Sequence, residues 1–284
     1  MAKILSGKEV VAALNEQLSK RAQALEEKGV APCLAMVRVG ERQDDIAYER
    51  GATNRCKRIG ISTKNFILPE SATQEELIKV IEEVNNDPSI HGCLLFRPLP
   101  EHFDDEVVRN ALLPAKDVDG ITNGSLAGVF AGTDQGYPPC TPAACMEILE
   151  HFGIDLNGKK ATVIGRSLVV GRPAALMLTS RNATATVCHT RTVDMPSVTR
   201  EAEVVIVAAG RANLIGKEYF SPGQVVIDVG INFTEEGTLC GDVNFAEAEP
   251  IVAAISPVPG GVGTVTTSVL AKHVIEAAEK TLAK

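Results

Sequence analysis

The sequence predicts an α/β protein of two domains, built on parallel sheets with helices on both sides. Three observations carry that prediction. At 284 residues and 45% hydrophobic content, the chain is long enough for about two cores at the usual ~100–200 residues per domain. Its strand-like runs are continuously apolar, as in VIVAAG (205–210) and QVVIDVG (224–230), the pattern of strands buried on both faces. Those runs alternate with amphipathic helical stretches, the rhythm of crossover connections between parallel strands.

Taken in order, an amphipathic helix through 7–28 ends near Gly29, and CLAMVRVG (33–40) follows as a buried strand. A charged helix over 44–59 comes next, with Asp44 or Asp45 placed to cap its start and Gly60 to end it in a left-handed turn. Tyr48, Ala52, Arg55 and Ile59 share one of its faces. Gly51 sits inside it at a cost of about 1 kcal/mol relative to Ala. STKNFILP (62–69) is a second strand, and TQEELIKVIEEVNND (73–87) a helix with Thr73 and Glu76 at capping-box spacing. IHGCLLFRPLP (90–100) is a strand running into a Pro-rich loop.

Residues 114–142 break the rhythm with Gly, Pro, Thr and Asp, as a linker or a working loop does. Thr141-Pro142 then reads as an N-cap with proline at the first helical position, opening a helix to about His151. A second series follows: strands at 159–165, 184–189, 202–210, 224–230 and 251–256, and a last helix over 266–283.

Composition excludes several classes of function. A net charge of −8 and a pI near 5.3 argue against nucleic acid and anionic membrane as partners. No apolar run approaches the ~20 residues of a membrane span. The first twenty residues turn polar too early for a signal peptide, so a cytoplasmic globule is expected. The seven cysteines form no CxxC pair and leave an odd one over; neither a disulfide framework nor a metal site is expected.

Three stretches carry chemistry. In ATVIGRSLVVGRPAALML (161–178) a strand ends at Gly165, and Gly171-Arg172-Pro173 opens a helix. Such a turn lets main chain approach a ligand and offers a helix N-terminus to phosphate, although the spacing is not GxGxxG. The next strand ends in CHTRT, where an acidic residue would favour NAD; Thr190 and Arg191, with Arg166, instead suit a 2′-phosphate or are simply solvated. PVPGGVGT (257–264) combines stiff prolines with uncrowded glycines, as a flat ligand pressed on main chain requires. Asp117 and Asp119 in PAKDVDG read first as turn formers.

The ordered set KDVDG (116–120), PCTP (139–142), GRSLVVGRP (165–173), VIVAAGR (205–211), VIDVGIN (226–232), GDVNF (241–245) and PVPGGVG (257–263) resembles the methylenetetrahydrofolate dehydrogenase/cyclohydrolase family. The resemblance covers nearly the whole chain. It implies a homodimer whose subunit has a three-layer α/β catalytic domain, residues 1–140 completed by the C-terminal helix 265–284. A Rossmann-type NAD(P)-binding domain over 141–264 makes up the rest, with folate held in a cleft facing the nicotinamide. The implied reaction is oxidation of 5,10-methylenetetrahydrofolate to the 5,10-methenyl form, followed in most members by hydrolysis to 10-formyltetrahydrofolate.

By position, the resemblance makes Tyr48 and Asp119 the catalytic pair, Tyr48 stacking by the folate and Asp119 binding the pterin edge. It places Ala52, Leu95, Phe96, Arg97, Pro259, Gly260, Gly261, Gly263 and Thr266 around the folate. Gly165, Arg166, Ser167, Gly171, Thr190, Arg191 and Ile231 fall around the nucleotide, which Arg166, Thr190 and Arg191 incline towards NADP over NAD. Where the family has a lysine one turn after the tyrosine, this chain has Ala52; where the family has glutamine, it has Phe96. In the family that glutamine lowers the lysine's pKa and the lysine handles protons for hydrolysis. The paired departure implies a dehydrogenase with cyclohydrolase activity absent or vestigial. A bifunctional enzyme with a substitute proton-transfer group and a non-catalytic folate- or nucleotide-binding relative are the alternatives. Thr264-Val265, where relatives have Pro-Met, is a third departure.

Overall fold

The computed structural model describes residues 1–282, and its strands run, in chain order, β1 (Lys3–Ile4), β2 (Cys33–Val39), β3 (Ser62–Leu68), β4 (Gly92–Leu95), β5 (Lys160–Ile164), β6 (Thr184–Cys188), β7 (Val204–Val207), β8 (Val225–Asp228), β9 (Asn232–Phe233), β10 (Leu239–Cys240) and β11 (Ala254–Ile255). The chain divides into two compact bodies: Ala13–Cys140 with Thr267 onward, and Met1–Ala12 with Thr141–Thr266. A first domain starting at residue 1 is thereby corrected. Residues 3–4 pair in parallel with β11, because a short exposed strand finds its hydrogen bonds at the open edge of the larger sheet.

In the first body β2 lies centrally in a parallel sheet of order β3-β2-β4. Its run from Leu34 to Val39 is buried throughout, the continuous apolar signature of a covered strand. Edge strand β3 is mostly open, with Ile67 more than half exposed. Val37, Val39, Leu77, Ile81, Val84, Leu95 and Val108 form one core, each such side chain contributing about 1.5–3 kcal/mol on burial. Helix Gln74–Asn86 carries the expected capping box: Thr73 Oγ1 accepts the Glu76 N–H at 3.3 Å, and Glu76 accepts the Thr73 N–H at 2.8 Å.

The helix bearing Tyr48 spans Gln43–Ile59 and ends on Gly60 at φ 98°. Arg42, not Asp44 or Asp45, is its N-cap residue, and no side chain caps it. Both aspartates fall one step inside, in the first turn, where the helix dipole favours them. The irregular stretch is more ordered than its composition suggests. Helix Asp105–Ala111, capped by Asp104, precedes it and helix Asn123–Ala131, capped by Thr122, lies within it; periodicity marks neither. The latter is apolar and glycine-containing, so it carries almost no amphipathic signal.

The second body holds a six-stranded sheet of order β1-β11-β8-β7-β5-β6, every pairing parallel. Val205, Val207, Val226, Ile255, Phe220 and Val243 form its core on one side. The helix Cys140–His151 begins one residue before Thr141, so Thr141 lies inside it and is not its cap. The last helix runs from Val262 to Leu282, starting earlier than residues 264–266: the Val-Gly-Thr segment is already helical. The short antiparallel pair β9–β10 was also unforeseen, being two residues a side. All seven cysteines are free, no metal-holding cluster occurs among the described residues, and none of their helices is long and apolar enough to cross a membrane.

Candidate active site

In the second body β5 pairs with β6 on one side and β7 on the other. The chain order reverses there, and in open parallel sheets ligands bind beyond the strand ends at such a point. Gly165 immediately follows β5 at φ +127°, and a Cβ on it would strike the Ala208 carbonyl oxygen after β7. A Cβ on Gly171 would likewise strike the carbonyl of Gly165. These two glycines are therefore required by close main-chain packing, in a turn with no room for side chains at either position. The Gly165 N–H donates to Cys188 O at 2.9 Å, which brings Arg166 beside the loop carrying Thr190 and Arg191. All three are exposed.

One expectation is corrected here. Helix Gly171–Thr179 does not present free first-turn amides. Ser167 Oγ accepts the Val170 N–H at 3.1 Å and lies 3.5 Å from the Gly171 N, the Ser167 carbonyl accepts the Arg172 N–H at 3.1 Å, and residue 173 is proline. Ser167 is thus the turn's internal brace.

The same body contains a cavity of about 250 Å³ lined by Asp228–Ile231, Leu239 and Pro257–Thr264. It brings Ile231, 65% exposed, together with Pro259, Gly260, Gly261 and Gly263. A Cβ on Gly263 would sit 3.3 Å from Ile231 Cδ1, and one on Gly261 would hit the Pro257 carbonyl. Gly260, at φ +101°, accepts the Gly7 N–H at 2.8 Å. Thr266 donates its hydroxyl to Gly263 O at 3.2 Å, closing the first turn of the last helix.

In the first body Tyr48 meets Phe96 edge to face, with ring centroids 6.2 Å apart. Ala52, one turn after Tyr48, is only 1% exposed. Phe96 and, one turn along the helix, Ala52 thus place two apolar side chains beside the tyrosine. Two of the residues expected around the folate have structural contacts of their own. Leu95 is a core side chain, packed in the β2–β4 cluster. Arg97 turns its guanidinium onto Asp105, Nε to Oδ1 at 2.6 Å with a second bond from Nη2 to Oδ2 beside it.

The two aspartates of KDVDG have parted roles. Asp117 is fully buried and accepts from the Ile121 N–H (3.0 Å), the Thr122 N–H (2.7 Å) and the Ser125 hydroxyl (2.6 Å); it is the turn former. Asp119 is half-buried. Burial pushes its carboxyl up to about 6; a bond with the Cys140 thiol and the Arg97 charge oppose the shift, and Asp117 adds to it. Lys116 holds the turn from below, its Nζ donating to Val84 O (3.0 Å), Asp87 O (2.6 Å) and Ile90 O (2.6 Å).

Sequence reasoning missed Asp45. It lies on the buried stripe of the Tyr48 helix with Ala52, Cys56 and Ile59, 4.0 Å from Arg42. Burial raises its carboxyl's pKa, with Arg42 and Arg38 opposing. Its seven-residue spacing from Ala52 was the available signal. Asp228 and Asp242, both buried, were quoted within motifs but given no role.

A six-stranded parallel sheet with a glycine turn at its switch point defines a two-domain α/β protein with a dinucleotide-binding body. Two family models divide the chain accordingly: tetrahydrofolate dehydrogenase/cyclohydrolase, catalytic domain, over residues 5–119, and the NAD(P)-binding domain of the same enzymes over 139–282. The chain belongs to the tetrahydrofolate dehydrogenase/cyclohydrolase family. Among its relatives, the bifunctional protein FolD of Carboxydothermus hydrogenoformans is 50% identical over 98% of each chain. The structure of the bifunctional FolD from Campylobacter jejuni matches with TM-score 0.95 at 38% identity, covering 99% of this chain and all of that one. The Trypanosoma brucei dehydrogenase-cyclohydrolase, solved with NADP cofactor and inhibitor, matches with TM-score 0.91 at 31% identity, over 100% of this chain and 99% of that one.

Proposed function

We propose that this protein oxidises 5,10-methylenetetrahydrofolate to 5,10-methenyltetrahydrofolate with NADP⁺ in preference to NAD⁺, and that it hydrolyses the product slowly or not at all. The observation that carries the second half is the residue types beside Tyr48: buried Ala52 one turn on and Phe96 edge-on to the ring, neither of which can carry a proton. Tyr48 offers a face to a planar ligand, and Asp119, with its pKa at about 6, is mostly a carboxylate at neutral pH, an acceptor for the N–H groups of a pterin. Gly165, Ser167 and Gly171 shape the nucleotide turn. Because Ser167 occupies the first helical amides, the exposed Arg166 and Arg191 supply the positive charge for a 2′-phosphate. The bound nicotinamide supplies a hydride acceptor, and positioning with exclusion of water does the remaining work without an obligatory base.

Hydrolysis requires more. Water must be activated and a ring nitrogen protonated, and loss of the group that does so costs typically about 10²–10⁴-fold. No substitute comes from Arg55, which is directed onto Thr267 Oγ1 at 3.4 Å and, as a guanidinium, stays charged. The bifunctional reading has one observation in its favour beyond the names of its relatives. Asp45 is a buried carboxyl with a raised pKa on the stripe that also carries Ala52, and such a group can shuttle protons.

Absorbance separates the two readings. With the purified protein, reduced nucleotide and the methenyl species should rise together, and methenyl decay should match buffer. Decay that depends on enzyme and disappears in Asp45→Asn would replace the first reading with the second. A homodimer is part of the proposal, as the family resemblance implies; sedimentation at working concentration checks it.

A further inference from the structure

Two buried carboxylates that the proposed chemistry does not use converge beneath the loops that follow β7 and β8. The Asp242 side chain accepts three consecutive main-chain N–H groups, from Ala209 (2.6 Å), Gly210 (2.9 Å) and Arg211 (2.8 Å), and the side-chain amide of Asn232 (2.9 Å). Asp228 in turn accepts the N–H groups of Gly230 (2.9 Å), Asp242 (3.1 Å) and Val243 (3.0 Å). There is no slack between them: a Cβ on Gly241 would overlap the Asp228 carboxylate, and one on Gly230 would meet Asp242.

Consecutive N–H groups pointing to one centre form a main-chain nest, a concavity that ordinarily binds an anion. Here the anion is the protein's own. The nest is made by the loop after β7, whose Ala208 carbonyl abuts Gly165 across the switch point. Asn232, the fourth donor, follows Ile231, which lines the 250 Å³ cavity with Asp228 and Gly230. One carboxylate therefore ties the loop that abuts Gly165 to the segment that carries Ile231 into the cavity.

We propose that Asp242, itself held by Asp228, is a positioning residue for the dinucleotide: it fills the nest at 209–211 and so sets the wall opposite Gly165 and the loop that presents Ile231. This rests on the dinucleotide reading above. With the nest already occupied by a carboxylate, a ligand phosphate is turned away from the loop after β7 and towards the Gly165–Gly171 turn.

The test is titration of NADPH fluorescence, which the absence of tryptophan leaves free of indole background, together with steady-state kinetics. Asp242→Asn keeps the size but removes charge and one acceptor oxygen. Its expected result is a dissociation constant raised at least tenfold and a nucleotide KM raised in parallel, with the folate KM within twofold of the parent's. Asn232→Ala, which leaves the nest filled, should raise the dissociation constant about threefold, and decides the matter where Asp242→Asn does not fold. A folded Asp242→Asn protein, or failing that a folded Asn232→Ala protein, that binds NADPH within twofold of the parent overturns the positioning role alone. A parent that binds no nucleotide overturns both this inference and the proposed function.

Discussion

The surround of Tyr48 and the loops around Asp242 are built on opposite principles. Beside Tyr48 stand Phe96, at an aromatic edge contact of 6.2 Å, and, one turn along the helix, the buried Ala52. Around Asp242, four donors converge on a single carboxylate and three more on Asp228. Alanine and phenylalanine side chains hold no group that could transfer a proton, whereas a satisfied buried network costs much to disturb and holds main chain in one arrangement. The contrast teaches where this chain can lose chemistry without losing its fold. Ala52 and Phe96 bring no polar side-chain group that burial could leave unpaired, whereas removing either buried aspartate would orphan several main-chain donors.

The most forceful way to break the contrast is to make the apolar corner polar again. Ala52→Lys with Phe96→Gln should raise enzyme-dependent methenyl hydrolysis by about 10²-fold, within the range general acid–base groups supply. A folded, folate-binding double variant with decay at the buffer rate would remove Ala52 and Phe96 as the cause.

A smaller effect concerns the one ionisable group assigned to the folate. The Asp119 pKa is raised to about 6, so the carboxylate is present above that pH and is lost as pH falls through it. Folate KM should therefore rise about tenfold between pH 7 and pH 5, each unit below the pKa removing about tenfold of the ionised form. Asp119→Asn should show a raised KM at neutral pH and a flat profile. A parent profile that is equally flat would sever Asp119 from binding.

The mildest test leaves the site's side chains alone. Lys116→Met removes three bonds to carbonyls beneath the KDVDG turn. Unfolding free energy should drop by ~2–4 kcal/mol, since each buried acceptor left unpaired costs about 1–3 kcal/mol and water recovers part. Denaturant melts measure it.

Much of the fold was legible because the signals were local. The buried run of β2, the Thr73–Glu76 box and Gly60 follow from side-chain periodicity, one hydroxyl–carboxylate spacing and one left-handed φ. The rest depended on which partner each group finds in the folded chain, whether near or far in sequence. Lys3–Ile4 is a strand only because β11 offers an open edge. Ser167 consumes the helix amides expected to be free, and Arg97 is claimed by Asp105, eight residues on. Asp45 looked like a cap because sequence shows an acid near a helix start, and not that the start lies at Gln43.

By itself the sequence determined the alternation of strands and helices, the glycine turn after β5, and the Ala52 that stands one turn after Tyr48, for these are matters of composition and short-range spacing. Only the tertiary structure decided that Asp117 builds the turn while Asp119 remains accessible, that Leu95 belongs to the core, and that Asp242 closes a nest more than thirty residues before it. Each of those outcomes depends on which groups the folded chain brings within hydrogen-bond distance, about 3 Å, and contacts between residues distant in sequence are set by packing, not by local pattern.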